Sequence, residues 1–224
     1  MSTFGFRIFP NPIAEQDAQI LAAFADLGVA QISDCMQRLY GIVGLRAMHA
    51  CKQRMVGFAV TVKARPGDNL MIHKAISMAG EGQVIVVDGK GELSNALVGE
   101  LMMLDAQRRG IRGFVIDGAV RDSDVFAAHD FGCFARGVSH LGPYKDGPGE
   151  INVPVSIGGQ VVQAGDIIVG DADGVVAIPY AASAQVLELA QAKEAAEAVA
   201  KQKIAGGTYV KPWMDKTIAE KSGA

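Results

Sequence analysis

Apolar side chains recur at helical spacing from Ile13 to Leu27, and Ser33-Asp34 has the residue types of an N-cap for a second short helix reaching Tyr40. The run Met55 to Val62 is apolar and largely β-branched and stops at Pro66-Gly67-Asp68, which predicts a strand and a turn. Asn69 to Ala79 then returns to helical spacing. In the centre, Val84-Ile85-Val86-Val87 ends in Asp88-Gly89 and Phe114-Val115-Ile116 ends in Asp117-Gly118. Between them Leu97, Leu101, Leu104, Val98 and Met102 mark one face of a helix. That is a βαβ pattern. A helical crossover makes the two strands parallel, so Asp88 and Asp117 are expected side by side at the carboxyl edge of one sheet, where ligands tend to bind.

Beyond Phe134 the pattern shortens. Val153 to Ile157, Gln160 to Val162, Ile167 to Val169 and Val175 to Ile178 are separated by Gly159, Gly165-Asp166 and Asp173-Gly174, which suggests hairpins or a small barrel-like layer. Ala182 to Ile204 is rich in Ala, Glu and Lys and free of proline, hence a long helix. The tail from Gly206, with Trp213, reads as a docking arm or a frayed end. No internal repeat or low-complexity linker divides the chain. We expect one domain over 1–224, its C-terminal helix and tail occupying about 182–224.

Composition narrows the function classes. With 224 residues, half of them hydrophobic, the chain can bury a substantial core. A net charge of −3 and a pI of 5.8 provide no basic surface for a phosphate backbone, so nucleic acid is not an expected partner. Cys35, Cys51 and Cys133 are odd in number and lack Cys-x-x-Cys spacing, which argues against a disulfide framework or a structural zinc site. Met1 to Pro12 lacks a basic region followed by an apolar run, and no stretch approaches the roughly 18 apolar residues of a membrane span. A cytoplasmic protein without membrane partners is the expectation.

Three segments carry the candidate chemistry: Gly99-Glu100-Leu101-Met102 near a helix start, Asp117-Gly118 after the second strand, and Arg121-Asp122 just beyond it. Parallel-sheet geometry brings them to one edge. Unpaired amides at a helix start suit an anion, and a guanidinium nearby can grip a carboxylate at two points, which together would hold a 2-oxo acid. Asp122 could give one oxygen ligand to Mg²⁺ or Mn²⁺, cations that keep several waters and need few protein carboxylates. The competing reading is bland: Arg-Asp after a strand is commonly a surface ion pair or a helix cap, and Gly-Glu-Leu occurs in many helices.

Pro66-Gly67-Asp68-Asn69-Leu70-Met71-Ile72-His73-Lys74, Gly99-Glu100-Leu101-Met102 and Asp117-Gly118-Ala119-Val120-Arg121-Asp122 together resemble the RraA-like family. This family contains the 4-hydroxy-4-methyl-2-oxoglutarate / 4-carboxy-4-hydroxy-2-oxoadipate aldolases. The similarity runs from about Ile32 to Ile204. Its most specific part is an acidic residue, a twenty-residue gap and Arg-Asp, here Glu100 and Arg121-Asp122. The resemblance implies an α/β fold with a swivelling β/β/α-type core, a central partly parallel sheet, N-terminal helices and a long C-terminal helix. It implies homotrimers or homohexamers with active sites at subunit interfaces. It also implies a divalent-metal-dependent retro-aldol lyase that releases pyruvate, with oxaloacetate decarboxylase activity as a side reaction.

The roles that the resemblance implies follow residue by residue. Asp122 is the direct metal ligand, and Arg121 binds the pyruvyl unit and offsets enolate charge. Gly99 and the backbone amides of Leu101 and Met102 cradle a carboxylate. Glu100 orients or activates a metal-shell water, at a position where relatives carry Asp or Glu. A neighbour's C-terminal helix contributes a carboxylate in the family, for which Glu194 and Glu197 are the candidates here. Non-catalytic members that bind an RNA-degrading endonuclease share the Arg-Asp pair but lack the acidic residue, so Glu100 favours the enzyme and leaves the regulator as the alternative. A methyltransferase reading lacks a Gly-x-Gly-x-Gly loop in this sequence.

The remaining motifs have plainer readings. Asn69 and His73 lie behind the Pro-Gly-Asp turn, where a supporting or core role outweighs catalysis. His49, His129 and His140 have no metal-ligand spacing. Gly80-Glu81-Gly82 and Gly89-Lys90-Gly91 are turns without the Gly-Lys-Ser/Thr of a P-loop. Met71, Met78, Met102 and Met103 fill core, and the Glu and Lys of the last long helix form a solvated or subunit-contacting face.

Overall fold

The computed structural model describes residues 3–12 and 18–222. Most of the chain is organised by one repeated step, strand to helix to parallel strand. β3 (Met55–Ala64) is followed by α3 (Leu70–Met78), β4 (Gln83–Val98), α4 (Glu100–Arg108), β5 (Gly113–Val120), α5 (Ser123–Ala128) and β6 (Gly132–Val138). β3, β4, β5 and β6 pair in parallel in that order. Before them come α1 (Ala18–Ala25), α2 (Val29–Cys35), β1 (Gly41–Ile42) and β2 (Arg46–Ala47). After them come β7 (Gly149–Ile151), β8 (Val155–Ile157), β9 (Gln160–Val162), β10 (Ile167–Asp171), β11 (Gly174–Ile178), α6 (Ser183–Ala205) and α7 (Pro212–Ser222). The main sheet runs β1-β11-β10-β3-β4-β5-β6-β2, with β7 on the far half of β3, and β8-β9 form a separate hairpin. The fold is therefore α/β with a central, partly parallel sheet and a long C-terminal helix, as the sequence implies.

Strand alternation splits the core. Val60 and Val62 of β3 join Ile85, Val87, Phe114 and Ile116 beneath the apolar faces of α3, α4 and α5. Val56 and Phe58, on the same face, pack with Ile167, Val169 and Ile178 against α1, α2 and α6. Ala59, Val84, Val86 and Val115 point the other way, toward Val155, Ile157 and Val162 of the hairpin. With both faces covered, the central strands read as continuous apolar runs, which is why they are conspicuous in the sequence.

Several expectations change. The second helix starts at Val29 after Gly28, so Ser33 and Asp34 lie inside it. Its amides are met by other side chains, Gly28 N–H by Gln31 Oε1 at 3.0 Å and Val29 N–H by Asp171 Oδ2 at 2.9 Å. Of the helix expected from Ile13 to Leu27, Ala18–Ala25 is helical, and residues 13–17 lie outside the described residues. Leu97 and Val98 belong to β4, and α4 buries Met102, Met103 and Ala106 while Leu101 and Leu104 face outward. The reason is that β4 does not end at Asp88: Lys90 and Gly91 adopt positive φ, the register shifts, and the strand resumes to Val98. Asp88 and Asp117 are neighbours, but they are buried short of the strand ends and neutralised by Lys90 and Arg136 respectively. The carboxyl edge of this pair lies at Val98 and Val120. The C-terminal tail forms α7, with no buried residue.

Candidate active site

Val98 of β4 and Val120 of β5 are register partners, so the residues that leave the two strands next are adjacent: Gly99-Glu100 on one side and Arg121-Asp122 on the other. Arg121 N–H donates to Val98 O at 3.0 Å and locks the second exit onto the first. Asp122 then takes φ 54° and ψ 42°, a left-handed conformation that Asp tolerates better than most residues. Its carbonyl accepts from Val125 and Phe126 at the start of α5, yet its carboxylate does not cap that helix. Oδ2 instead turns back and accepts the Glu100 amide at 2.9 Å, leaving Oδ1 without a partner among the described residues. Asp122 therefore does not cap α5 with its side chain; its carboxylate meets the first amide of α4 instead.

Arg121 Nε lies 3.6 Å from the same Asp122 Oδ2, an ion pair too long for a hydrogen bond, and the guanidinium makes no hydrogen bond among the described residues. Its fork is available to a ligand. Gly99 is fixed by space: a Cβ there would lie 2.5 Å from Asp122 Oδ2, 2.8 Å from Arg121 Cγ and 3.0 Å from Arg121 Nε. At the start of α4 the Glu100 amide is used by Asp122, while the Met102 and Met103 amides both donate to Gly99 O at 3.1 Å. Leu101 N–H is left without an acceptor among the described residues, and the Leu101 side chain is 76% exposed. The Glu100 carboxylate, partly exposed, also has no partner there. Gly99, Leu101, Met102 and Arg121 border a cavity of about 210 Å³ that is also lined by Asn69, His73, Val98, Gly142, Pro143 and Lys145, while Glu100 and Asp122 stand outside its lining.

Of the three segments singled out from sequence, Gly99-Glu100-Leu101-Met102 and Arg121-Asp122 meet at one sheet edge, whereas Asp117-Gly118 lies short of it, with Asp117 paired to Arg136. Glu194 and Glu197 do not join them within the protomer; they receive the Gln31 side-chain amide, Glu197 at 2.7 Å, where α2 packs on α6. Among the described residues no three His, Cys, Asp or Glu side chains converge. A tetrahedral zinc centre would need such a set, whereas a hard cation that keeps most of its waters suits one half-exposed carboxylate with a free oxygen. A larger cavity of about 810 Å³ lies at the opposite, amino-terminal edge of the parallel strands, away from these groups. The sequence reading missed Asp68 and the loop 142–147. A run of Gly142-Pro143 and Gly147-Pro148 flanking Lys145 was the available signal.

The chain belongs to the RraA-like family (Aldolase/RraA), whose profile matches residues 29–177. A relative from Halalkalibacterium halodurans, provisionally named 4-hydroxy-4-methyl-2-oxoglutarate aldolase, is 35% identical over 207 residues, 92% of this chain and 99% of its own. Among solved structures, an uncharacterized protein from Pseudomonas syringae matches with a TM-score of 0.77 at 29% identity, covering 85% of this chain and 94% of its own. The RNA-processing inhibitor RraA of Thermus matches with a TM-score of 0.62 at 29% identity, covering 68% and 92%.

Proposed function

We propose that this protein cleaves the C3–C4 bond of a 4-hydroxy-2-oxo acid, such as 4-hydroxy-4-methyl-2-oxoglutarate or 4-carboxy-4-hydroxy-2-oxoadipate, giving pyruvate and a second oxo acid. The carrying observation is the Asp122 carboxylate, drawn back to the Glu100 amide at 2.9 Å and ion-paired with Arg121 at 3.6 Å, with one carboxylate oxygen and the guanidinium's hydrogen-bond donors unused among the described residues. The name of the Halalkalibacterium relative supports the same chemistry.

Asp122 would hold Mg²⁺ or Mn²⁺ through its free oxygen, and the bound cation would polarise the 2-oxo group as a Lewis acid. Leu101 N–H and the positive end of α4 bind the substrate 1-carboxylate, with Met102 beside them. Arg121 places its planar fork against the 2-oxo oxygen. Glu100 accepts the 4-hydroxyl proton through a water, the C4–O bond becomes a carbonyl, and the C3–C4 electron pair flows into C2=O. Arg121 stabilises the pyruvate enolate as its charge develops, so it lowers the barrier rather than only tightening binding. Return of a proton to C3 completes pyruvate. Loss of CO₂ from oxaloacetate generates the same enolate, so decarboxylation is expected as a side activity.

Leu101, exposed at the cavity mouth, is consistent with a homotrimer or homohexamer whose neighbour closes the site. The test is coupled pyruvate release from a panel of 4-hydroxy-2-oxo acids and oxaloacetate, with Mg²⁺, Mn²⁺ or EDTA. Metal-dependent release supports the reading. No pyruvate from any acid, together with capture of an RNA-degrading endonuclease, would replace it with the regulator reading that the Thermus structure suggests.

A further inference from the structure

The Arg121 guanidinium stands beside the loop that begins at Gly142, yet it bonds to no carbonyl there among the described residues. The approach is close: a Cβ built on Gly142 would lie 3.5 Å from Arg121 Nη1. A backbone oxygen so near a charged donor is a natural acceptor for it, so something must hold this one away. The Gly142–Pro143 peptide unit has no N–H, because proline supplies none, and its orientation therefore depends on what its oxygen meets. That oxygen accepts the Asn95 side-chain amide at 2.6 Å, its one hydrogen bond among the described residues.

Asn95, half-buried, is itself held from several sides. Glu92 accepts the Ser94 amide at 2.6 Å with one oxygen and the Asn95 amide at 3.1 Å with the other, which closes the excursion of β4. Ala96 N–H donates to Leu141 O at 2.8 Å and lays the returning strand along the loop. Gly67, at φ 72°, leaves room for the Asn95 side chain, since a Cβ there would lie 3.2 Å from Asn95 Oδ1. The side chain thus fills a gap between two glycines, Oδ1 toward Gly67 and Nδ2 on Gly142 O. At the far end of the loop, Asp68, 2% exposed, accepts the amides of Asp146 at 2.7 Å and Gly147 at 2.8 Å with one oxygen, and that of Leu70 at 2.9 Å with the other. The two ends have separate anchors, and the one beside Arg121 is Asn95.

We propose that Asn95 is a positioning residue for Arg121: by holding Gly142 O it keeps that carbonyl from capturing the guanidinium, and the fork stays free for substrate. What the fork then does rests on the aldolase reading; why it is free does not. Asn95 is not among the residues that line the cavity, so it acts only through Gly142. Without its amide, Gly142, which has wider backbone freedom than any other residue, turns its carbonyl toward Arg121. The bond formed there competes with every anion that enters.

The test reads the guanidinium directly. Phenylglyoxal, a dicarbonyl that adds to free guanidinium groups, is applied to the full chain, and the Arg121 peptide is followed by mass spectrometry with the exposed Arg112 as internal reference. In Asn95→Ala, and in Asn95→Leu, which fills the same gap without a donor, Arg121 labelling relative to Arg112 should slow about tenfold, the scale of one hydrogen bond to a charged group. Pyruvate release should lose a similar factor in kcat/KM, and that loss should vanish when Asn95→Ala is added to Arg121→Met. Labelling at the wild-type rate in both variants, or a loss of turnover that persists beside Arg121→Met, overturns the proposal, because Asn95 then only supports the loop. Slowed labelling in a protein that releases no pyruvate from any acid keeps Asn95 in this role and removes the aldolase reading alone.

Discussion

Replacing Gly99 with alanine adds one methyl group at the point where both strand exits meet. Its Cβ would sit 2.5 Å from Asp122 Oδ2 and 2.8 Å from Arg121 Cγ, against roughly 3.5 Å for relaxed carbon contacts. About 1 Å of movement is therefore required. The backbone at Gly99, φ −155° and ψ −167°, is open to any residue, so the strain is steric. The cheapest relief is displacement of the half-exposed Asp122 and Arg121 side chains, which breaks the 2.9 Å bond to the Glu100 amide. Overpacking costs about 1–3 kcal/mol, and because both neighbours can swing outward we expect the lower end, a melting shift of about 2–4 °C for a chain of this size. Activity should suffer far more. A misplacement of about 1 Å costs on the order of 100-fold, or about 2.7 kcal/mol of barrier. Pyruvate release measured beside a thermal melt separates the two effects. Gly99→Ala with near-normal turnover and an unchanged melt would refute the claim that this glycine sets the Arg121–Asp122 geometry.

Asp122→Asn keeps a residue that tolerates φ 54° but removes the charge, so Mn²⁺ affinity read by calorimetry should weaken by at least about tenfold, since even supporting partners of metal ligands cost about 10–100-fold. Arg121→Lys keeps the charge and loses the planar fork; kcat for pyruvate release should fall by roughly 100-fold, and an unchanged rate would dismiss the enolate clamp. Away from the site, Glu150 binds Arg7 at 2.6 and 2.8 Å, and that bond holds its carboxyl pKa at about 2, below the ordinary 4.5. A depressed folded pKa contributes stability that is complete above about 4.5 and fades as pH falls toward about 2. Melting temperature should therefore drop more steeply across that window in wild type than in Glu150→Gln.

The sequence made legible what is written as uninterrupted apolar runs or as close neighbours in the chain. Val84 to Val87 and Phe114 to Ile116 are buried on both faces and pair in parallel, and Arg121-Asp122 follows the second of them by a few residues. The excursion from Asp88 to Ala96 was not legible, because a strand that leaves its register and returns has no single period: Lys90 and Gly91 look like a turn, and Leu97 and Val98 fall by accident into helical phase with Leu101. That excursion carries consequences for the site. Had β4 ended at Asp88, the edge would lie beside two carboxylates that Lys90 and Arg136 neutralise, and no free anion-binding fork would be present. By running on to Val98, β4 delivers the α4 N-terminus beside Val120, so that Gly99 and Arg121 emerge from partnered positions. Asp68 was hidden for a different reason. Its three acceptor contacts are to backbone amides, two of them nearly eighty residues away, and amides bear no sequence signature. The two-residue motif is therefore readable, but the wall facing it is assembled by a carboxylate that only the fold can connect to its partners.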